Sequence, residues 1–195
     1  ICFNSIVSLK ASGANNYLWN NGLGTNDSVS FVANDTVTII LKGTDINNCS
    51  NYDTINIIVY PLPIVKINPA NDSVCYGNNI TLIASGATTY LWNESLGNND
   101  TVTTNPLFDN KTFIVTGTDN NNCSNIAISN ITVNPLPIIT ISISDDSLCL
   151  GDSITIIAKG ATSYSWNNSP SNNDTIIVSP NVNTTYIVTG TDNNG

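Results

Sequence analysis

The feature that most constrains this chain is that it repeats itself every 73–74 residues. CYGNNITLIASGATTYLWN, from Cys75, returns as CLGDSITIIAKGATSYSWN from Cys149 and more loosely as CFNSIVSLKASGANNYLWN from Cys2. Cys2, Cys75 and Cys149 are spaced by 73 and 74, and Trp19, Trp92 and Trp166 keep the same steps. IILKGTDINNCS, FIVTGTDNNNCS and YIVTGTDNNG also correspond, and YPLPIVKI and NPLPIITI stand between copies. Self-similarity at a fixed period marks a tandem architecture. The chain reads as three copies: residues 1–60, without a first strand; residues 61–134, complete; and residues 135–195, stopping before a second cysteine and a last strand. It is expected to be a window on something longer, with the partner of Cys149 beyond Gly195.

Each copy reads as all-β. Ile139, Ile141 and Ile143 alternate with Thr140, Ser142 and Ser144, the period-2 signature of a half-buried strand. Further runs cover 154–158, 163–166, 175–178 and 185–189, with 126–133 closing the second copy, and Asn, Gly and Pro clusters separate them. That spacing suits a β-sandwich of six or seven strands per copy. Tyr17 and Trp19, Tyr90 and Trp92, and Tyr164 and Trp166 are two apart, so both rings of each pair share a strand face. That face is read as the core, with Trp19, Trp92 and Trp166 buried; the rival reading is an exposed platform for sugar stacking.

Cys2 precedes Cys49 by 47 residues and Cys75 precedes Cys123 by 48. Two disulfides are expected within copies, Cys2–Cys49 and Cys75–Cys123, each clipping a late turn to the start of its sandwich. Closing loops of that size stabilises by about 4 kcal/mol in the chain-entropy model, which matters for a domain of modest core. Metal-binding thiols are disfavoured, because there is no CxxC and no histidine. Disulfides place the chain in an oxidising, extracytoplasmic compartment. Pro61-Leu62-Pro63 and Pro135-Leu136-Pro137 mark stiff joints between copies, which favours a rod.

Composition narrows the function. With no histidine or arginine and one glutamate, Glu94, neither a Ser-His nor a Cys-His pair can be assembled, and no guanidinium can clamp a phosphate. The chain is therefore read as non-enzymatic, with no catalytic residue and no metal site. A net charge of −9 argues against nucleic acid and anionic lipid. No apolar run reaches the roughly 20 residues of a membrane span, so no membrane insertion is expected in this segment. No cofactor is implied. Calcium is the one candidate ion, at turns such as Asp119-Asn120-Asn121-Asn122, although the same residues ordinarily just make turns.

The order C-x-G-x-x-(I/V)-T-(L/I), G-A-x-x-Y-x-W-N, T-(T/F)-(Y/F)-x-V-T-G-T-D-x-N-(G/N)-C, then P-L-P resembles the Ig-like, PKD-like tandem repeats of large Bacteroidota surface proteins. The resemblance spans essentially the whole chain; the first copy departs most, with Phe3-Asn4 where the others have Tyr76-Gly77 and Leu150-Gly151. It implies type IX secretion cargo of the gliding or adhesion type, at the cell surface, as tandem Ig-like sandwiches. It also makes Asp-Ser/Thr-apolar triplets legible as O-glycosylation signals of that group. The candidate hydroxyls are Ser28, Thr36, Thr54, Ser73, Thr101, Ser147, Ser153 and Thr175. Turn aspartates followed by strand formers generate the same triplets.

These readings converge on the shaft of an extracellular adhesin or fibre. Its partners would be neighbouring repeats, other copies of itself in a fibre, and covalent glycans. The alternatives are carbohydrate-binding Ig-like modules and the subunit of a polymerised filament.

Overall fold

Short runs of Ile, Val and Thr between Asn and Gly clusters carry no helical stripe, and they form strands throughout the computed structural model, which describes residues 1–169 and 171–194. No α-helix occurs among the described residues. The first copy contributes β1 (Ser5–Lys10), β2 (Asn16–Trp19), β3 (Ser28–Ala33), β4 (Val37–Thr44) and β5 (Ser50–Ile57). β1 pairs with β3, and β2, β4 and β5 make a second sheet in that order. The second copy contributes β6 (Lys66–Asn68), β7 (Asn71–Cys75), β8 (Thr81–Ser85), β9 (Thr89–Trp92), β10 (Thr101–Thr103), β11 (Lys111–Thr118) and β12 (Ser124–Asn134). Its sheets run β10-β8-β6 and β7-β12-β11-β9. β7 lies parallel to the end of β12, Asn71 opposite Asn130 and Cys75 opposite Asn134. The third copy contributes β13 (Thr140–Ile143), β14 (Ile154–Lys159), β15 (Ser163–Trp166), β16 (Thr175–Val178) and β17 (Val188–Thr191), in sheets β13-β14-β16 and β15-β17.

Internal contacts divide the chain into two compact units. One comprises Ile1–Ala70, Thr81–Thr103 and Thr112–Ser129; the other comprises Asn71–Ile80, Thr104–Lys111 and Asn130–Gly195. The division passes through the second copy rather than between copies. In the first unit Ala11, Trp19, Val29 and Ile39 form a buried cluster flanked by Leu9, Tyr17, Phe31 and Leu41, and Leu82, Trp92, Phe113 and Val115 are buried as well. In the second, Ile154, Ile156, Ala158, Trp166 and Ile176 pack with Tyr164, Val178, Tyr186 and Val188. Each large apolar side chain so buried contributes about 1.5–3 kcal/mol.

Two expectations for the third copy need correcting. Ile141 and Ile143 lie on β13 but are 50% and 48% exposed, whereas Ile67, the counterpart of Ile141 on β6, is 6% exposed. The alternation is that of a strand, but the face it offers is not covered. The run expected at 185–189 becomes a strand only from Val188. Ahead of it, the Ile187 amide donates to Asn167 Oδ1 at 2.8 Å. The corresponding amides of Ile40 and Ile114 make the same bond at 2.9 Å, but there a further strand, β5 or β12, sits on the other side of β4 or β11.

Candidate functional site

The G-A-x-x-Y-x-W-N segment closes on itself in each copy. The Tyr17 hydroxyl donates to the Ala14 carbonyl and accepts from the Ala14 amide, both at 3.0 Å. Tyr90 does the same with Ala87, and Tyr164 with Ala161. The indole N–H groups of Trp19, Trp92 and Trp166 donate to the carbonyls of Asn26, Asn99 and Asn173 at 2.9–3.0 Å. These tryptophans are 6%, 4% and 5% exposed. Both polar handles of the pair, phenol and indole, are thus used internally, and the buried indole leaves no ring face for a sugar. The asparagine that follows bridges to the neighbouring strand: Asn20 Nδ2 donates to Thr38 O, Asn93 Nδ2 to Thr112 O and Asn167 Nδ2 to Thr185 O.

The cysteines pair differently from the sequence expectation. Neither Cys2–Cys49 nor Cys75–Cys123 forms; the disulfide joins Cys2 to Cys123, 121 residues apart and one copy onward. The reason lies in the strand order. Cys2 bridges in parallel to Tyr60, Phe3 N–H donates to Tyr60 O, and Tyr60 N–H donates to Ile1 O, each at 2.8 Å. Cys2 therefore sits at the far end of the last strand region of its own copy, while Cys49 precedes the near end. The eight residues of β5 alone span about 23 Å at 3.3 Å per residue, and a disulfide needs Cα atoms within about 7 Å. In the second copy Cys75 likewise pairs with Asn134, the last residue of β12, and Cys123 directly precedes its first.

Tyr60 leads into Pro61-Leu62-Pro63, and the second copy's turn comes to meet it there. Asn125 Nδ2 donates to Pro63 O at 3.0 Å, and Pro63 is buried. The turn hangs from one carboxylate, Asp119 Oδ1 accepting from the amides of Asn121 and Cys123 at 2.8 and 2.9 Å. Asp45 holds Asn47 and Cys49 in the same way. Closing a loop of this separation stabilises by about 5 kcal/mol in the chain-entropy model. Sequence reasoning missed this partner because it matched cysteines by spacing. The available signal was the long strand run between the turn cysteine and the Pro-Leu-Pro joint.

Of the remaining candidates, Ser28, Thr36, Thr54, Ser73, Thr101, Ser147 and Ser153 are exposed and Thr175 is half-buried. Ser28, Thr101 and Thr175 open β3, β10 and β16. Thr36 Oγ1 accepts from the Val59 amide at 3.0 Å, and Ser153 and Ser179 hydroxyls are 2.8 Å apart. Among the described residues no group of three or more His, Cys, Asp or Glu side chains is placed to hold a metal ion, and no helix is long and apolar enough to cross a membrane. Cys49 and Cys149 are exposed.

No protein-family model and no characterised protein matches the sequence. Solved structures to which it is similar include the N-terminal eight Ig domains of Down Syndrome Cell Adhesion Molecule, at 10% identity and a TM-score of 0.34, covering 85% of this chain and 26% of that one. Cadherin domains 1–4 of Protocadherin Gamma B7 match at 14% identity and a TM-score of 0.27, covering 96% and 58%. A Bacteroides ovatus protein, SGBP-B of a mixed-linkage glucan utilization locus, solved with a heptasaccharide, matches at 12% and 0.26, covering 98% and 56%. The chain spans less than two thirds of each, and similarity at this level establishes neither a family nor a function.

Proposed function

We propose that the chain is a non-enzymatic segment of an extracellular surface adhesin or fibre, in which residues 1–60, 61–134 and 135–195 are successive Ig-like beads of an extended array. One observation carries the reading: the Cys2–Cys123 disulfide crosses Pro61-Leu62-Pro63, so that joint is closed by a covalent bond as well as stiffened by proline. A joint built in this way suits a molecule that spans distance under load. The disulfide also suits an oxidising compartment. The internal use of every Tyr and Trp handle in the repeated motif favours a spacer over a sugar-stacking module. Exposed hydroxyls of the Asp-Ser/Thr triplets are the positions proposed to carry glycans, with Bacteroidota type IX secretion as the proposed route outward.

Small-angle X-ray scattering tests the arrangement. Three beads in line, each about 35 Å long by the rise of an eleven-residue strand, give a radius of gyration of about 30 Å. A single globule of this length would give about 16 Å, and that value would remove the spacer reading. Growth of the scattering mass with concentration would instead favour the filament subunit.

A further inference from the structure

The same cysteine geometry is laid out a second time, one copy along. Cys75 lies opposite Asn134, as Cys2 lies opposite Tyr60, and each is followed by a Pro-Leu-Pro joint from the end of its copy. In the formed disulfide, Cys123 Sγ sits 3.9 Å from the Asn121 carbonyl oxygen, inside the turn held by Asp119. Cys75 Sγ sits 3.9 Å from the carbonyl oxygen of Asn194, which occupies the same place in the turn of the third copy. There Asp192 Oδ1 accepts from the Asn194 amide at 2.8 Å, as Asp119 Oδ1 does from Asn121. The sulfur of Cys75 therefore lies as far from the Asn194 carbonyl as the sulfur of Cys123 lies from the equivalent carbonyl of Asn121.

We propose that the array is cross-linked in a one-copy-forward register: the first cysteine of each copy bonds to the turn cysteine of the next. Cys75 is then the half-site for a cysteine placed directly after Gly195. In an array with further copies, the same register would join Cys149 to the turn of the next copy and Cys49 to the first cysteine of the one before. Each bond forms from two thiols with loss of two protons and two electrons. The electrons pass by exchange to an external disulfide, which leaves as two thiols. Because successive loops interlock, every joint is bridged by a disulfide and most residues of a copy lie inside a closed loop, shielded from tension applied along the chain. The register does not depend on whether the array serves as a spacer or as a binding surface.

The test is the full chain with Cys-Ser, the dipeptide at 49–50 and 123–124, appended after Gly195. It is folded in a mixture of oxidised and reduced glutathione and digested without reduction. Mass spectrometry is expected to find Cys75 linked to the appended cysteine alongside Cys2–Cys123, with Cys49 and Cys149 alkylated. A Cys75–Cys123 or Cys2–Cys49 peptide would overturn the register. So would an appended cysteine that is alkylated, or linked to Cys49 or Cys149, while Cys2–Cys123 is intact in the same sample. Carrying Cys75→Ser in the extended chain separates a specific bond from chance oxidation: the appended thiol is then expected to be alkylated, and its continued protection would count against the proposal.

Discussion

Asn71-Asp72-Ser73-Val74-Cys75 and Asp145-Asp146-Ser147-Leu148-Cys149 hold the same place in consecutive copies and differ at only two positions. The first is β7, laid parallel against residues 130–134 of β12, with Val74 and Cys75 half-buried. The second forms no strand and is exposed along its length. Its polar side chains turn inward on themselves instead: the amide and hydroxyl of Ser147 both donate to Asp145 Oδ1, at 3.2 and 3.3 Å. An Asp-Ser-rich segment has weak strand preference of its own, and local side-chain bonds compete with the ladder when no partner strand offers one. β7 is thus a property of the pair. The same holds for β13, whose isoleucines alternate correctly yet stay half in water.

Where the two copies agree, in the tryptophan pocket, the largest effects are expected. Trp92→Ala and Trp166→Ala should each cost about 3–5 kcal/mol in urea unfolding, since both indoles are buried and bonded to the equivalent carbonyl. A cost below about 1 kcal/mol for Trp166→Ala alone would mean that the third copy does not hold its core as the second does. The comparison itself is broken by Thr132→Pro, which puts proline opposite Ser73 in β12. A lost ladder bond and an orphaned acceptor should cost about 2–3 kcal/mol. Hydrogen exchange at 72–75 should then rise to the rate of 146–149, and persistent protection would show that β7 stands without its ladder. The smallest effect is at the turns. Asp119→Ala removes bonds to two amides, Asn121 and Cys123, and should cost about 1–2 kcal/mol. An unchanged thermal midpoint would show that the turn holds without its carboxylate.

Much of the molecule was legible from residue pattern. The strands at Ile154 and Thr175 begin where Ile/Thr runs begin, and that at Ser163 where Tyr and Trp alternate with Ser, because side chains alternating across a strand write their burial into the sequence at period 2. The tryptophans could be placed in the core because a motif recurring as a block signals an interior built the same way each time. The closure of Tyr17 on Ala14 and of Trp19 on Asn26 was not legible, since nothing in the spacing says which carbonyl a phenol or an indole will find.

The cysteines mark the limit most clearly. Their spacing is a fact of the chain, and it points to pairing within a copy. Their partners depend instead on which end of a strand each sulfur occupies, and on where the joint delivers the next turn. Repeat period and strand composition follow from local preferences that each residue carries with it. The Cys2–Cys123 bond, the parallel seat of β7 and the lack of a strand at the corresponding residues 145–149 depend on neighbours far away in sequence. Ladder bonds and a disulfide's short reach are satisfied in space, and sequence distance does not measure that.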